Sequence, residues 1–514
     1  MRLFTCFSVL ILLAGCAPDE KKLHLVRDKN VQPRNVIFIL SDDHRFDFMG
    51  FTGKVPWLQT PAMDRLSKEG IYFKNAFVTT ALCSPSRASI LTGLYSHTHT
   101  VVDNIAPAPD SLIYFPRYLQ EAGYQTSFFG KWHMGGEEDD PRPGFDHWES
   151  FKGQGVYYNP KLNINGKQME YGDSIYITDL LTDHALDWLK NRNTEKPFFL
   201  YLSHKAVHAE FQPAKRHRGS YRNEKIEYPP SFQTSDQAVK GKLSMMPLKK
   251  EQAPLRGNDY YGEGRTPDWQ KMQRESWHGV DYMYHGEMDF ESFYKRYCET
   301  LRAVDESVAR MLDYLDEQGL AESTLVIYMG DNGFSFGEHG LIDKRHFYEE
   351  SAKIPFLIRC PEIFAGGKTL DPMIQNIDVA PTILEVAGIQ KPPHMQGRSI
   401  IPVLQGRQEN WRDKIFYEYY WEYDFPQTPT MHGVRTDRYK LIRYHGIWDT
   451  NELYDLQEDP HEMNNLIASP EHQQLIKGLT VEIYDWLEST GGMQIPLKRT
   501  VKGKWGDHRN KDVF

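Results

Sequence analysis

Four short apolar runs, each stopping abruptly at polar residues, constrain this chain more than any other feature. Residues 35–40 (NVIFIL) stop at Ser41-Asp42-Asp43, and 324–329 (TLVIYM) stop at Gly330-Asp331-Asn332-Gly333. Residues 124–129 (YQTSFF) run into Gly130-Lys131-Trp132-His133, and 197–202 (PFFLYL) run into Ser203-His204, with His208 beyond. From about Val31 to Leu404 such runs alternate with amphipathic stretches, the pattern of an α/β domain with a largely parallel sheet. In open α/β sheets, ligands sit outside the carboxyl ends of the strands. Four strands that deliver Asp/Asp, Asp/Asn, Lys/His and His/His to that edge therefore build one site.

The intervening helices carry core stripes. Residues 60–70 read as a complete short helix, with Thr60 as N-cap, Pro61 at the first turn and Gly70 at the end. Ile177, Leu180, Leu181, Ala185, Trp188 and Leu189 form one apolar stripe, and Leu301, Val304, Val308, Leu312 and Leu315 another. Residues 209–285 break the rhythm with Pro, Gly, Tyr and charges, and read as a loop-rich insertion in the 31–404 catalytic domain. After Leu404 three segments read as antiparallel strands and Leu475, Leu479, Ile483 and Trp486 as a closing helix. This predicts a smaller α+β subdomain over 405–495, followed by a tail at 496–514. With 60 Lys+Arg against 70 Asp+Glu, a net charge of −10 argues against nucleic acid as the partner.

Residues 1–16 read as a leader: Arg2, an apolar run from Leu3 to Leu13, then Leu13-Ala14-Gly15-Cys16. The run is too short for a stable membrane span. The last four residues resemble a bacterial lipoprotein box, which predicts lipidation of Cys16 and an exported protein held in the periplasm or at the cell surface. The residues after Cys16 point to the outer membrane. Of the five cysteines, Cys6 leaves with the leader, and Cys83, Cys298 and Cys360 are too few for a disulfide framework. Cys298 and Cys360 read as buried thiols or as one bridge.

Asp42, Asp43, Asp331 and Asn332 form a hard oxygen set that suits Ca²⁺ or Mg²⁺ better than zinc. Taken singly, each acidic pair could instead cap the following helix. Lys131, His133, His208 and Lys344 would surround an anion beside such a cation, as a sulfuryl or phosphoryl group requires. Ser84 and Pro85 suit the N-cap and first position of a helix, which puts Cys83 at a helix N-terminus that favours an anion. Arg87, one turn in, could reach the same place.

The motif Cys83-Ser84-Pro85-Ser86-Arg87, followed by Leu91-Thr92-Gly93, resembles the C-x-P-S-R signature of the sulfatases of the alkaline-phosphatase superfamily. So do the Asp42-Asp43 strand end, "GKWH" at 130–133, His208, "GDNG" at 330–333, "KRHFYE" at 344–349 and "LYDLQEDPHEMNNL" at 453–466. The resemblance implies an alkaline-phosphatase-like fold and oxidation of Cys83 to formylglycine by a sulfatase-maturing enzyme. It further implies Ca²⁺ bound by Asp42, Asp43, Asp331, Asn332 and the modified Cys83. Arg87 and Lys131 would hold the sulfate and the hydrated aldehyde, and a diol oxygen would attack sulfur. His208 or Lys344 would protonate the departing sugar oxygen, and His133 would deprotonate the second hydroxyl.

His204 is expected as a pocket residue. Residues 75–104 and 124–135 are similar to N-acetylglucosamine-6-sulfatases and heparan 6-O-endosulfatases, which implies a 6-O-sulfated N-acetylglucosamine of heparan or mucin chains as substrate. Arg443, His445 and Trp448 are sugar-contact candidates, with a supporting β-hairpin as the alternative. Rival readings are a sulfatase for 6-sulfated N-acetylgalactosamine, a phosphodiester or phosphonate hydrolase, and a glycan-binding lipoprotein with a retired site. Retirement conflicts with the intact set of matched residues.

Overall fold

The computed structural model describes residues 23, 25–135, 138–232, 266–274, 276, 279–280, 289–445 and 449–496. The leader with Cys16, residues 233–265 of the insertion, Trp448 and residues 497–514 of the tail lie outside them.

A ten-stranded sheet forms the centre. Its middle five strands, in spatial order Thr324–Gly330, Asn35–Ser41, Phe198–Ser203, Gln125–Gly130 and His147–Ser150, are all parallel. Antiparallel strands extend it on both sides. The central strands are buried along their length because helices cover both faces, so their sequences run apolar without alternation. One face packs on the core around the helix Cys83–Thr92, the other on the helices Ile177–Asn191 and Phe290–Glu317. This is the expected α/β class. A separate four-stranded antiparallel sheet, Lys414–Tyr419, Thr430–Thr436, Tyr439–His445 and Glu452–Asp455, carries the helix Gln473–Thr490 against it.

Register turns the four polar strand ends into neighbours. Ser41 pairs with Gly330, Leu40 with Ser203, and Gly130 with Ser203. The contact at Gly130 demands glycine: φ is +112°, and a Cβ would come 1.9 Å from the Ser203 carbonyl oxygen.

Local details differ from the sequence reading. The helix Pro61–Glu69 starts after Thr60, but the Thr60 side chain does not cap it. Its first amides, Ala62 and Met63, donate to Asp305 of the long helix at 3.1 and 2.9 Å. The insertion contains a helix, Asp268–Arg274. Cys298 and Cys360 are buried free thiols. Among the described residues, no helix is long and apolar enough to cross a membrane.

Candidate active site

The helix bearing Cys83 begins two residues earlier than its sequence suggests, at Cys83 itself, after extended Leu82. Ser84 makes no cap. Its hydroxyl donates to the carbonyl of His133 and lies 3.3 Å from His133 Nδ1, so the hydroxyl ties the Cys83 helix to the exit of strand Gln125–Gly130.

Cys83 reaches the strand ends directly. Ligating atoms of Asp42, Cys83 and Asp331 lie within 4.8 Å of one another, all buried, with Cys83 Sγ 3.4 Å from Asp42 Oδ1. The Asp43 amide donates to Asp331 Oδ1 at 3.0 Å, and Asn332 Nδ2 donates to Asp43 Oδ1 at 2.7 Å. Asp43 Oδ2 and Asn332 Oδ1 are buried without a hydrogen-bond partner. Two orphaned oxygens at a carboxylate cluster are costly unless a ligand satisfies them, and an oxygen-seeking divalent cation does so. Asp43 and His133 also hold left-handed backbone, with φ of 54° and 57°, a strain found where a site fixes its residues.

Cations surround the cluster. Lys131 Nζ donates to Asp42 Oδ2 and Gln154 Oε1, and Lys344 Nζ to Asp43 Oδ1. Burial works to raise the Asp42 pKa, but Lys131, His208, Arg87 and Lys344 hold it well below the usual carboxylate range. Burial pushes Asp43 up to about 7 against the pull of Lys344, with Asp42 and Asp331 adding to the rise. A bound divalent cation would reverse that repulsion.

Arg87 lies at the cluster, as its place one turn into the helix suggests: Nε donates to Asp331 Oδ2 at 2.9 Å, and Nη1 to the Lys131 carbonyl and Ser203 hydroxyl, both at 2.7 Å, while Nη2 is buried without a hydrogen-bond partner. It therefore clamps three strand ends together. His208 Nδ1 lies 2.5 Å from the Ala209 carbonyl, which can only accept, so Nδ1 carries the proton and Nε2 faces Asp43 Oδ2 at 3.8 Å. Burial, then Lys344 and Lys131, lowers the His208 pKa well below its ordinary value, and burial with Lys131 does the same to His133.

Three expected substrate residues stand apart from this group. The buried His204 ring turns to Ser307 of the long helix, with Nε2 3.0 Å from its hydroxyl, and burial lowers its pKa to about 3. Strand alternation explains this, since Phe198, Leu200 and Leu202 face the same core. Arg443 Nη1 donates to Thr480 of the C-terminal helix at 3.2 Å, and the His445 ring lies 4.8 Å from that of His432. Trp448 lies outside the described residues. The sequence reading missed Gln154, Ser203 and Lys205. Ser203 had a signal, as the polar end of an apolar strand in register with Gly130; Gln154, in a loop, had none.

This arrangement belongs to known proteins. Residues 34–389 match the family model described as "Sulfatase", and 337–488 match "N-sulphoglucosamine sulphohydrolase, C-terminal". The chain belongs to the sulfatase family and is a sulfuric ester hydrolase. It is 34% identical to N-acetylglucosamine-6-O-sulfatase of Bacteroides thetaiotaomicron, covering 93% of this chain and 88% of that protein. It is 31% identical to the N-acetylglucosamine-6-sulfatase of Homo sapiens over 86% of this chain and 82% of the relative. One similar solved structure is a protein in complex with its substrate D-glucosamine-2-N,6-O-disulfate. The TM-score is 0.76 at 32% identity, covering 91% of this chain and all of that one.

Proposed function

We propose that this chain removes the 6-O-sulfate from N-acetylglucosamine in heparan- or mucin-type glycans, with Cys83 in its formylglycine form and Ca²⁺ held by Asp42, Asp43, Asp331 and Asn332. The observation that carries the reading is the buried Asp42–Cys83–Asp331 cluster with its orphaned Asp43 and Asn332 oxygens. The similarity to N-acetylglucosamine-6-sulfatases supports the choice of sugar. When bound, the cation would draw charge off the sulfate, and the oxidised Cys83 side chain would supply the oxygen that attacks sulfur.

The chain's own residues then have separate tasks. Lys131 and Lys344 offer ammonium protons to sulfate oxygens while anchored on Asp42 and Asp43. Arg87 holds Asp331, the Lys131 carbonyl and Ser203 in place. A sulfate anion at His208 Nε2 favours its protonation, so His208 or Lys344 passes a proton to the departing sugar oxygen. His133, kept neutral by burial and Lys131, can accept a proton at the Cys83 side chain. The reading includes maturation by a sulfatase-maturing enzyme. It also includes export with lipidation at Cys16, and attachment to the outer membrane facing the periplasm or the cell exterior.

The test is sulfate release from N-acetylglucosamine 6-sulfate and N-acetylgalactosamine 6-sulfate, and phenol release from an aryl phosphodiester, by the matured full chain. The first is expected to exceed the other two by at least about tenfold in kcat/KM. A preference for either of the others overturns the substrate assignment.

A further inference from the structure

Among the described residues, one cation at this site has no direct ionic partner. Lys205 follows strand Phe198–Ser203 by two residues and is 4% exposed. Its ammonium lies over the Tyr157 ring, 4.7 Å from the centroid. That ring is fixed, because the Tyr157 hydroxyl donates to the His208 carbonyl at 2.6 Å. The other cations are each tied to a carboxylate: Lys131 to Asp42, Lys344 to Asp43 and Arg87 to Asp331. Among the described residues, none forms an ion pair or hydrogen bond with the Lys205 ammonium.

Lys205 nevertheless borders the cluster. Burial and then Lys131 lower its pKa to about 8, and Asp42, Asp43 and Cys83 act against them. A ring face offsets part of the cost of burying an ammonium but accepts at most one of its three N–H groups. Lys205 Nζ is not among the fully buried unpartnered atoms of the site, so a ligand anion can reach it and supply a partner.

We propose that Lys205 is a sulfate-binding residue of this site, poised on Tyr157 to meet an oxyanion of the bound sugar. The inference rests on the sulfatase reading above. Two sulfates could supply the oxyanion, the scissile 6-O-sulfate or a second sulfate on the same sugar, and the chemistry of recognition is shared.

The experiment uses the matured full chain with Lys205→Met and Lys205→Arg, the first matching length without charge. Binding of inorganic sulfate is measured by calorimetry. Sulfate release is measured on N-acetylglucosamine 6-sulfate and on glucosamine 2-N,6-O-disulfate. For Lys205→Met the expected loss in kcat/KM is about tenfold or more, largely restored in Lys205→Arg. Equal losses on both sugars, with inorganic sulfate bound about tenfold more weakly, assign Lys205 to the scissile group. A loss confined to the disulfated sugar assigns it to the second sulfate. Lys205→Met with sulfate binding and both kcat/KM values within twofold of wild type overturns the proposal, as does a loss of thermal stability alone. If the wild type cleaves neither sugar yet binds sulfate through Lys205, the functional reading fails and the anion site stands.

Discussion

Two buried clusters of charge lie in this molecule, and they are built on opposite rules. Around Glu349, at the junction with the antiparallel sheet, pairing is dense. Lys440 Nζ lies 2.8 Å from both Glu349 and Glu462 and donates to the Phe347 carbonyl at 2.7 Å. Arg435 brackets both Glu349 oxygens at 3.0 and 3.3 Å. At the strand ends, by contrast, the carboxylates of Asp42 and Asp331 converge with Cys83, and oxygens of the adjoining Asp43 and Asn332 have no hydrogen-bond partner. Buried charge in which cations alternate with carboxylates joins elements; buried carboxylates that converge with a nucleophile on one point suit a ligand. Both clusters hold an orphaned oxygen, Glu462 Oε1 in the first and Asp43 Oδ2 and Asn332 Oδ1 in the second; what separates them is the convergence of Asp42, Cys83 and Asp331 within 4.8 Å.

Substitutions can break that contrast. The largest effect is expected for Asp331→Asn, which removes a carboxylate from the cluster and the partner of Arg87. Activity should fall about 10³-fold, and added Ca²⁺ should raise the residual rate. Wild type treated with a chelator should lose activity and regain it with Ca²⁺, read as initial rates. Next, Lys344→Met should lower kcat/KM about 10²-fold, with most of the loss in kcat, because its ammonium meets charge that develops in the transition state.

Glu349→Gln probes the other cluster. It breaks a buried network and leaves Lys440 and Arg435 undercompensated, so stability should fall by about 3–5 kcal/mol while the folded protein keeps its kcat. Burial works to raise the Glu349 pKa, but Arg435, Lys440 and Lys353 hold it well below 4.5. A depressed carboxylate stabilises fully above its unfolded pKa and loses that contribution as pH falls. Wild-type stability from this residue should therefore decline below about pH 4.5, and the Gln variant should lack that component in urea titrations. The smallest effect on stability is expected for His204→Gln, whose ring serves Ser307: a loss of about 1–3 kcal/mol, with a change in kcat/KM below about fivefold.

The legibility of the site in the sequence follows the same division. Asp42, Asp43, Asp331, Asn332 and Lys131 were visible because each follows an apolar run, and parallel register brings such ends together without knowledge of any side chain. His204 misled because it shares that exit but sits on the alternate face. Lys205, its neighbour, was passed over between two histidines, since only the packing of Tyr157 over its ammonium shows where it goes. Arg87 was placed in the right neighbourhood, but its protein partners Asp331, Ser203 and the Lys131 carbonyl were not legible, because proximity in sequence does not say which acceptors a guanidinium will meet. Gln154 belongs to a loop whose position depends on long-range packing alone. Outside 209–285, the strand-and-helix alternation of the described residues was legible. The helix Asp268–Arg274 was not, because one short turn-rich segment carries too few apolar positions for a periodicity to show.

The most direct measurement is sulfate release from N-acetylglucosamine 6-sulfate by the full chain produced with a sulfatase-maturing enzyme, beside Cys83→Ala made in the same way. The account predicts Ca²⁺-dependent release by the wild type and a loss of at least about 10⁴-fold in the variant, with thermal unfolding unchanged within a few degrees. Release by Cys83→Ala at the wild-type rate would contradict it.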